Sequence, residues 1–332
     1  MSILVQSPGA LATVQDAGRL GHAAQGYRSC GACDPYALQA ANLLAGNEPH
    51  AAALELTLTG GSYLFEEAAV FALAGAAMPA ALNGTPVPRY CPLYAAPGDT
   101  LTLGPAAEGL RCYLAVHGGI AVPPVLGSRS TDLKCRLGGF EGRALRAGDR
   151  LPVGCTQGQA ADYWIAVRQR HADHPLGEVS ARHPTRAWRF VGGQRLPLVR
   201  AVPGPQAERF SAAAHAALLH GCYTLTADSD RMGCKLQGPA LEAPQGVDIL
   251  SDGIVAGSVQ VSANGQPIVM LADHQTTGGY AKIATVMGAD LPTLAQLRPG
   301  DALCFDYVTP AQAVQAARKQ GATLQQIRER MP

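Results

Sequence analysis

The amino-acid sequence is poor in aromatic and charged residues and has no excess of charge of either sign. Phe, Trp and Tyr make up 5% of the 332 residues, and 26 Lys and Arg stand against 25 Asp and Glu. Nucleic-acid-binding proteins usually carry a basic surface, and peripheral membrane proteins a polybasic run, so this balance argues against both kinds of partner. With 47% hydrophobic residues, the composition is typical of a globular protein with an aliphatic interior.

Long hydrophobic runs are also lacking. The longest, from Ala68 to Leu82, is interrupted by Gly75 and Pro79 and is too short to cross a bilayer, so we interpret it as a core strand with a turn. The first residues, MSILVQSPGALATVQD, contain neither the basic nor the apolar segment that directs secretion. We therefore expect a cytoplasmic protein.

Ready-made catalytic motifs are absent as well. The sequence contains no GxxxxGK[ST] phosphate loop, no GxSxG nucleophile elbow and no HExxH metal motif. Nine cysteines, an odd number, favour reduced and mostly buried thiols over a disulfide framework. Cys30 and Cys33 form a CxxC pair, but a metal or redox site would need a second pair or a βαβ context, so we predict no metal site.

Glycine and proline are abundant, with 38 and 24 copies. So many breakers predict short elements and many turns, as in a mainly β protein with a few helices. Alternating segments predict strands at LELTLTG (Leu54–Gly60), TLTLG (Thr100–Gly104), CYLAVHGG (Cys112–Gly119) and YTLTAD (Tyr223–Asp228). In the segment Val259–Leu271, the pair Asn264 and Gly265 between two apolar arms predicts a β-hairpin.

Capping residues mark the helices. Helices with an N-cap residue and a C-terminal glycine are predicted at Asp34–Asn47, Ser211–Gly221 and Thr309–Gly321. In the first, Asp34 is the N-cap, Pro35 takes the first helical position and Gly46 ends the helix. A further short helix is predicted at Thr323–Arg330.

A repeated turn suggests how the chain is divided. LRAGDRL begins at Leu145, LRPGDAL at Leu297, and a weaker copy, APGDTL, at Ala96. The first two either lead into the closing strands of two similar barrels or are simply a common kind of turn. Between them, the polar stretch Arg168–Arg186 is a plausible connection. We predict an N-terminal barrel-like β domain at 1–160, a connecting segment at 161–195, a β-barrel with a glycine-rich ligand loop at 196–308, and C-terminal helices at 309–332.

Five polar stretches could carry a function, namely Thr13–Gly21, Leu126–Leu133, Gly138–Asp149, Asp228–Pro239 and Asp273–Ala284. In the last, Gly278 and Gly279 lack a Cβ, so backbone amides of a turn could form a nest for an anion or a carbonyl oxygen. The other polar groups there are the amide of Gln275, the hydroxyls of Thr276 and Thr277, and the ammonium of Lys282. This set suits a small carboxylate, carbamate or ureido group. The alternative is a glycine turn whose threonines satisfy only their own backbone.

Five stretches of the sequence, one of which is the first predicted helix, together resemble a known family. This family is the biotin-dependent carboxyltransferases, also called allophanate hydrolase subunit 2-like, and it includes subunits of bacterial 5-oxoprolinase. The resemblance rests, in this order, on TVQDAGRLG, CDPYALQAANLLAGN, VLGSRST with GGFEGRALRAGD, DSDRMGCKLQGP, and SDGIVAGSVQVSANGQPIVMLADHQTTGGYAKIA. It runs from about Gln6 to about Asp306. It implies two cyclophilin-like β-barrel domains, a companion subunit of related fold and a third subunit.

The resemblance implies a subunit of an ATP-dependent 5-oxoprolinase that opens 5-oxoproline to glutamate, with ATP engaged through the complex. The sequence contains neither a biotin carboxylase segment nor a biotinyl-lysine domain, which favours this expectation. One alternative is the carboxyltransferase subunit of a biotin-dependent urea-type carboxylase, for which biotin would be the cofactor. Another is a non-catalytic regulatory partner of a companion that resembles a kinase inhibitor.

Under the leading expectation the catalytic residues are Gln275, Thr277 and Lys282. The substrate-binding residues are Thr276, Gly278, Gly279, Asp230, Arg231, Arg129, Asp16 and Arg19. The sequence departs from the family pattern at Cys30, Cys33 and Ala256, and at His274, where we expect arginine. Because His274 lies within the loop and histidine is not a permanent cation as arginine is, this departure leaves the identity of the substrate open.

Overall fold

The computed structural model describes residues 1–170 and 186–332. The chain divides into two compact units. Unit 1 comprises Met1–Leu20, Cys30–Arg182 and Gly321–Pro332, and unit 2 comprises Gly21–Ser29 and His183–Gln320, each as far as its residues are described. Most of the predicted connecting stretch Arg168–Arg186 lies outside the described residues.

Unit 1 is built from two antiparallel sheets. Its strands are β1 (Ser2–Ser7), β2 (Leu11–Gln15), β3 (Ala53–Thr57), β4 (Thr59–Phe65), β5 (Ala69–Ala77), β6 (Ala80–Leu82), β7 (Thr85–Val87), β8 (Leu93–Ala95), β9 (Thr100–Pro105), β10 (Glu108–Val116) and β11 (Arg150–Pro152). Its helices are α1 (Pro35–Leu44) and α2 (Gln157–Arg170). One sheet has the order β11-β1-β4-β9-β6-β7 and the other β2-β3-β10-β5-β8. Residues of both sheets share one core, which includes Ile3, Leu54, Phe65 and Leu114.

The first predicted helix and the first predicted core strand are confirmed. Asp34 caps α1, since its side chain accepts a hydrogen bond from the backbone N–H of Ala37 at 2.8 Å, and Pro35 is the first helical residue. Gly46 follows the helix with a φ of 76°, the left-handed conformation that ends helices. The run from Ala68 to Leu82 forms β5 and β6 with a turn between them.

The segment LELTLTG does not form one strand, so that prediction is wrong. Leu58 adopts a φ of 67° and separates β3 from β4, which lie in different sheets of unit 1. Its N–H donates to the carbonyl of Leu110 and its carbonyl accepts from the N–H of Ala106, both at 2.8 Å. These two hydrogen bonds to distant backbone groups hold the bend, and the local alternation of residue types does not reveal them.

Unit 2 contains a closed β-barrel. Its strands are β12 (Ala187–Val191), β13 (Gln194–Pro203), β14 (Cys222–Leu225), β15 (Gly233–Gln237), β16 (Asp248–Gly253), β17 (Ser258–Val261), β18 (Pro267–Met270), β19 (Thr277–Tyr280), β20 (Lys282–Val286) and β21 (Ala302–Tyr307). Seven of them pair in the order β13-β20-β17-β18-β15-β14-β21, and parallel pairing of β21 with β13 closes the ring. Strands β16 and β19 form a separate ribbon. The predicted mainly β class is confirmed, as is the hairpin at Asn264 and Gly265, whose arms are β17 and β18.

The remaining helices are α3 (Ala212–His220), α4 (Leu291–Ala295) and α5 (Pro310–Arg330). The prediction that a helix ends at Gly321 and a new one begins at Thr323 is wrong, because α5 is continuous. A glycine inside a helix costs only about 1 kcal/mol relative to alanine. Buried residues on either side of it, Ala316 in unit 2 and Ile327 in unit 1, outweigh that cost. Among the described helices, none combines the length and apolar character that a membrane crossing requires.

The three Gly-Asp turns have one geometry. In each, the glycine has a φ near 90° and the aspartate carboxylate accepts from the backbone N–H three residues earlier; the pairs are Gly98 and Asp99, Gly148 and Asp149, and Gly300 and Asp301. They lead into β9, β11 and β21. Of these strands, β21 takes part in the barrel closure described above.

Candidate functional site

The predicted glycine-rich loop is a strand. Gly278 and Gly279 lie in β19, where Gly278 faces Asp252 across the pairing with β16, and neither glycine has a positive φ. The prediction of a turn whose successive amides form a nest is therefore wrong, because strand pairing extends this backbone. A Cβ on Gly278 would lie 2.6 Å from Cδ1 of Ile254 and 2.8 Å from Nε2 of Gln260. Glycine is needed there so that these two side chains can pack over the strand.

Lys282, the first residue of β20, places a buried cation beside this ribbon. Its side chain is 2% exposed, and Nζ donates to Oδ2 of Asp252 at 2.8 Å and to the carbonyl of Gly253 at 3.2 Å. The hydrogen bond from Lys282 lowers the pKa of the Asp252 carboxyl. An ammonium carries three hydrogens, and these two acceptors are its partners among the described residues. One N–H of Lys282 is therefore available to a ligand.

Glutamine side chains surround the same ribbon. Oε1 of Gln206 accepts from the backbone N–H of Lys282 at 3.1 Å, and its Nε2 lies 3.4 Å from Oδ2 of Asp252. Gln260, which is 1% exposed, donates Nε2 to the carbonyl of Tyr280 at 3.2 Å. Sequence reasoning missed Gln206, Asp252 and Gln260. Asp252 lies within the family motif SDGIVAG, which could have identified it, whereas no local signal distinguishes Gln206.

Of the predicted residues, Thr277 is the first residue of β19, and Gln275 and Thr276 directly precede it. The carbonyl of Thr276 accepts from the N–H of Ile254 at 3.0 Å, and Thr277 is exposed. Oε1 of Gln275 is buried and has no hydrogen-bond partner in the described part of the chain. A buried amide oxygen without a partner is rare and calls for an explanation such as a bound ligand or water.

The residues before the ribbon make contacts within the protein. Arg231 and Asp273 form a forked ion pair, with Nε to Oδ2 at 2.9 Å and Nη2 to Oδ1 at 2.8 Å, and both are buried. Nδ1 of His274 lies 2.7 Å from the carbonyl of Gln275. Asp230 is exposed, and its Oδ1 accepts from the N–H of Met232 at 2.7 Å. These contacts therefore fix the backbone that leads into β15 and the backbone that leaves β18.

The other predicted site residues form a second polar cluster, in unit 1. Oδ1 of Asp16 accepts from the hydroxyls of Ser128 and Ser130 and from the N–H of Gly18, and Oδ2 accepts from the N–H of Arg129. The guanidinium of Arg129 donates through Nε to the carbonyl of Val122 at 2.8 Å. Asp16 thus joins the start of the chain to the segment around residue 129.

Arg19 belongs to this cluster and is 1% exposed. Nε donates to the carbonyl of Val125 at 3.1 Å and Nη2 to the carbonyl of Ser130 at 2.8 Å. Gly138 packs directly on it, since a Cβ at Gly138 would lie 2.5 Å from Nη2 of Arg19. Gly138 opens one of the five polar stretches of the sequence, but its local pattern does not assign it to the site.

The cysteine pair is buried. Cys30 has a φ of 52°, and the backbone N–H of Cys33 donates to Oε2 of Glu55 at 2.9 Å. Within residues 1–170 and 186–332, no group of three or more His, Cys, Asp and Glu side chains is arranged to hold a metal ion.

Unit 1 thus has two antiparallel sheets, and unit 2 has a closed seven-strand barrel and the polar ribbon of β16 and β19. The sequence profile of the carboxyltransferase domain, subdomain A and B, matches residues 25–307. The chain therefore belongs to this family, which confirms the resemblance.

Named relatives cover almost the whole chain. A 5-oxoprolinase subunit of Escherichia coli is 40% identical over 323 residues, which are 97% of this chain and 96% of that protein. The corresponding 5-oxoprolinase subunit of Haemophilus influenzae is 38% identical over 317 residues, or 96% of this chain and 94% of that protein. The crystal structure of the Kluyveromyces lactis urea carboxylase aligns with a TM-score of 0.82 and 26% identity, over 98% of this chain and 29% of that one.

Proposed function

We propose that the chain is a subunit of an ATP-dependent 5-oxoprolinase complex, which opens 5-oxoproline to glutamate. The proposal rests on two polar groups near Asp252 and Gly278, which are cross-strand partners in β16 and β19. These groups are the third N–H of Lys282 and Oε1 of Gln275, neither of which has a hydrogen-bond partner among the described residues. A lactam presents one carbonyl oxygen that accepts and one N–H that donates, so these two protein groups are complementary to it. The names of the relatives favour the same substrate.

The chemistry requires an activated lactam carbonyl. Lys282 would donate to the carbonyl oxygen and stabilise the negative charge that develops on it as water attacks the carbon. Gln275 would hold the ring N–H and thereby orient the C–N bond that breaks, and the ring nitrogen leaves as the amine of glutamate. ATP would phosphorylate the lactam oxygen and leave as ADP. Once water has added and the C–N bond has broken, a second water would hydrolyse the resulting acyl phosphate to the carboxylate and inorganic phosphate. We assign ATP binding to the complex because the sequence has no phosphate loop.

Other subunits are part of the proposal. The relatives are named as subunits of 5-oxoprolinase, and we propose a companion subunit of related fold and a third subunit, acting together in the cytoplasm. The decisive experiment mixes the purified companions with 5-oxoproline and ATP, with and without this chain, and measures glutamate. Glutamate that forms only when the chain is present supports the proposal. Equal glutamate without the chain, or none with companions whose ATP hydrolysis is active, contradicts it.

A second candidate is carboxyl transfer from carboxybiotin to a urea-like acceptor. It is favoured by the structural alignment with the urea carboxylase over 98% of this chain. A ureido group also presents N–H donors and a carbonyl acceptor, so Gln275 and Lys282 would suit it. The test supplies a carboxybiotinylated carrier protein and urea, and follows loss of the carboxyl group from biotin with and without the chain.

A further inference from the structure

The side chain of Arg19 is a buried cation. It is 1% exposed, and it forms no ion pair with a carboxylate among the described residues. Nε and Nη2 donate to two backbone carbonyls, whereas Nη1 is buried and has no hydrogen-bond partner there. Buried charges in native proteins are normally paired, because a charge removed from water must recover its lost solvation. Nη1 of Arg19 therefore lacks an acceptor among the described residues, and an anionic acceptor would compensate best for the buried positive charge.

The carboxylate in this cluster is bonded to other donors. Asp16 accepts four hydrogen bonds, from the N–H groups of Gly18 and Arg129 and the hydroxyls of Ser128 and Ser130, and it forms no ion pair with Arg19.

The surroundings of Arg19 are shaped to hold the guanidinium in one place. Gly138 has a φ of 66° and would clash with both Nη2 of Arg19 and the carbonyl of Ser130 if it carried a Cβ. Gln15 is fully buried, and its Oε1 also has no hydrogen-bond partner among the described residues, whereas its Nε2 donates to the carbonyl of Thr131 at 3.2 Å. A donor and an acceptor are therefore left open within five residues of sequence. Leu20, which follows Arg19, is 70% exposed, so the segment reaches the surface.

We propose that Nη1 of Arg19 anchors the carboxylate of a small organic acid. A guanidinium presents parallel N–H groups that match the two oxygens of a carboxylate, and such charge-assisted hydrogen bonds are the strong ones. If the acid is 5-oxoproline, this inference rests on the proposed function; the anion site itself does not.

The first test uses the unmodified chain. Arginine side chains labelled with ¹⁵N are followed by NMR while sodium acetate is added, with sodium chloride at equal ionic strength as the reference. The Arg19 Nε resonance is assigned from Arg19→Lys. We expect a saturable shift of the Arg19 signal with acetate that chloride does not reproduce. An unmoved Arg19 signal, or an equal shift with both salts, overturns the inference and assigns Nη1 to an internal water.

The second test identifies the acid by calorimetry. L-5-Oxoproline is compared with 2-pyrrolidinone, the same ring without the carboxylate, on the wild type, Arg19→Gln and the exposed control Arg150→Gln. We expect 5-oxoproline to bind at least tenfold more tightly than 2-pyrrolidinone, and Arg19→Gln to lose about tenfold or more, since hydrogen bonds to charged groups carry about that factor. Arg150, paired with Glu66 at the surface, should not matter.

The outcomes separate the two proposals. If 5-oxoproline binds and Arg19→Gln, folded by circular dichroism, binds it as tightly as the wild type, the inference falls and the proposed function stands. If acetate shifts the Arg19 signal but 5-oxoproline neither shifts it nor releases heat, the anion site stands and the proposed substrate falls.

Discussion

Lys282 and Asp252 form an ion pair in which the cation is buried and the acid is not. Their atoms Nζ and Oδ2 are 2.8 Å apart, and the side chains are 2% and 52% exposed. Because the two residues are 30 positions apart in sequence, no local sequence pattern predicts this pair. A buried ammonium whose carboxylate partner lies toward the solvent can still direct a hydrogen bond toward a ligand.

Replacing Lys282 by methionine should abolish most of the activity of the complex. We expect a fall of tenfold or more in glutamate formation, because one well-placed donor to a developing oxyanion contributes about 2.7–4 kcal/mol. Thr277→Ala should cause a loss of similar size if its hydroxyl contacts the substrate. The matched control is Lys235→Met on β15, where the lysine is exposed. Rates near the wild type for both Lys282→Met and Thr277→Ala would contradict the site.

The two adjacent glycines of β19 should respond differently to alanine. At Gly278 the new Cβ would meet Ile254 at 2.6 Å and Gln260 at 2.8 Å, whereas at Gly279 the nearest atom is the carbonyl oxygen of Ile249 at 3.5 Å. Neither has a positive φ, so only the available space differs. We expect Gly278→Ala to lower both the melting temperature and the activity, and Gly279→Ala to keep the melting temperature. Equal melting temperatures would show that β19 shifts freely.

The N-cap of α3 should contribute measurably to the stability of unit 2. Oγ of Ser211 accepts from the N–H of Ala214 at 3.1 Å, so Ser211→Ala removes one of the acceptors that the first helical turn needs. The expected loss is about 1 kcal/mol in the free energy of unfolding, measured by urea denaturation. Ser211→Asp, which retains an acceptor, should recover most of it; an equal loss in both variants would assign the effect to something other than the cap.

Asp149 should make stability depend on pH in the acid range. Arg143 donates to both of its oxygens, at 2.7 and 2.9 Å, and these hydrogen bonds lower the pKa of Asp149. Because the folded-state pKa is depressed, this stabilisation is fully present above the unfolded value of about 3.9 and is lost as the pH falls below it. Asp149→Asn should therefore cost more free energy of unfolding at about pH 6 than at about pH 3.

The equivalent turn provides the control for this pH dependence. Asp99 accepts from the N–H of Ala96 and from the amide of Asn83 and makes no ion pair among the described residues. The cost of Asp99→Asn should vary less between the same two pH values than that of Asp149→Asn. An equal variation for both would show that the turn, and not Arg143, is the source.

The local sequence was sufficient to predict those elements whose hydrogen-bond partners are close along the chain. Asp34, Pro35 and Gly46 identified the start and end of α1, and Asn264 with Gly265 identified a hairpin, because caps and tight turns are closed by groups within a few residues. Motif order over most of the chain was sufficient for the family, and the profile match at residues 25–307 confirms it.

Tertiary structure decided everything that depends on distant segments. The expected glycine turn at Gly278 is a paired strand, the chain bends at Leu58, and α5 continues through Gly321. Tertiary structure also paired Lys282 with Asp252 and surrounded Arg19 with carbonyls more than 100 residues away. Strand pairing and burial are set by the whole fold, and they override the local preferences that a sequence shows. The sequence therefore determined which polar groups this protein contains, and the fold determined which of them lack a partner within the described residues and could bind a ligand.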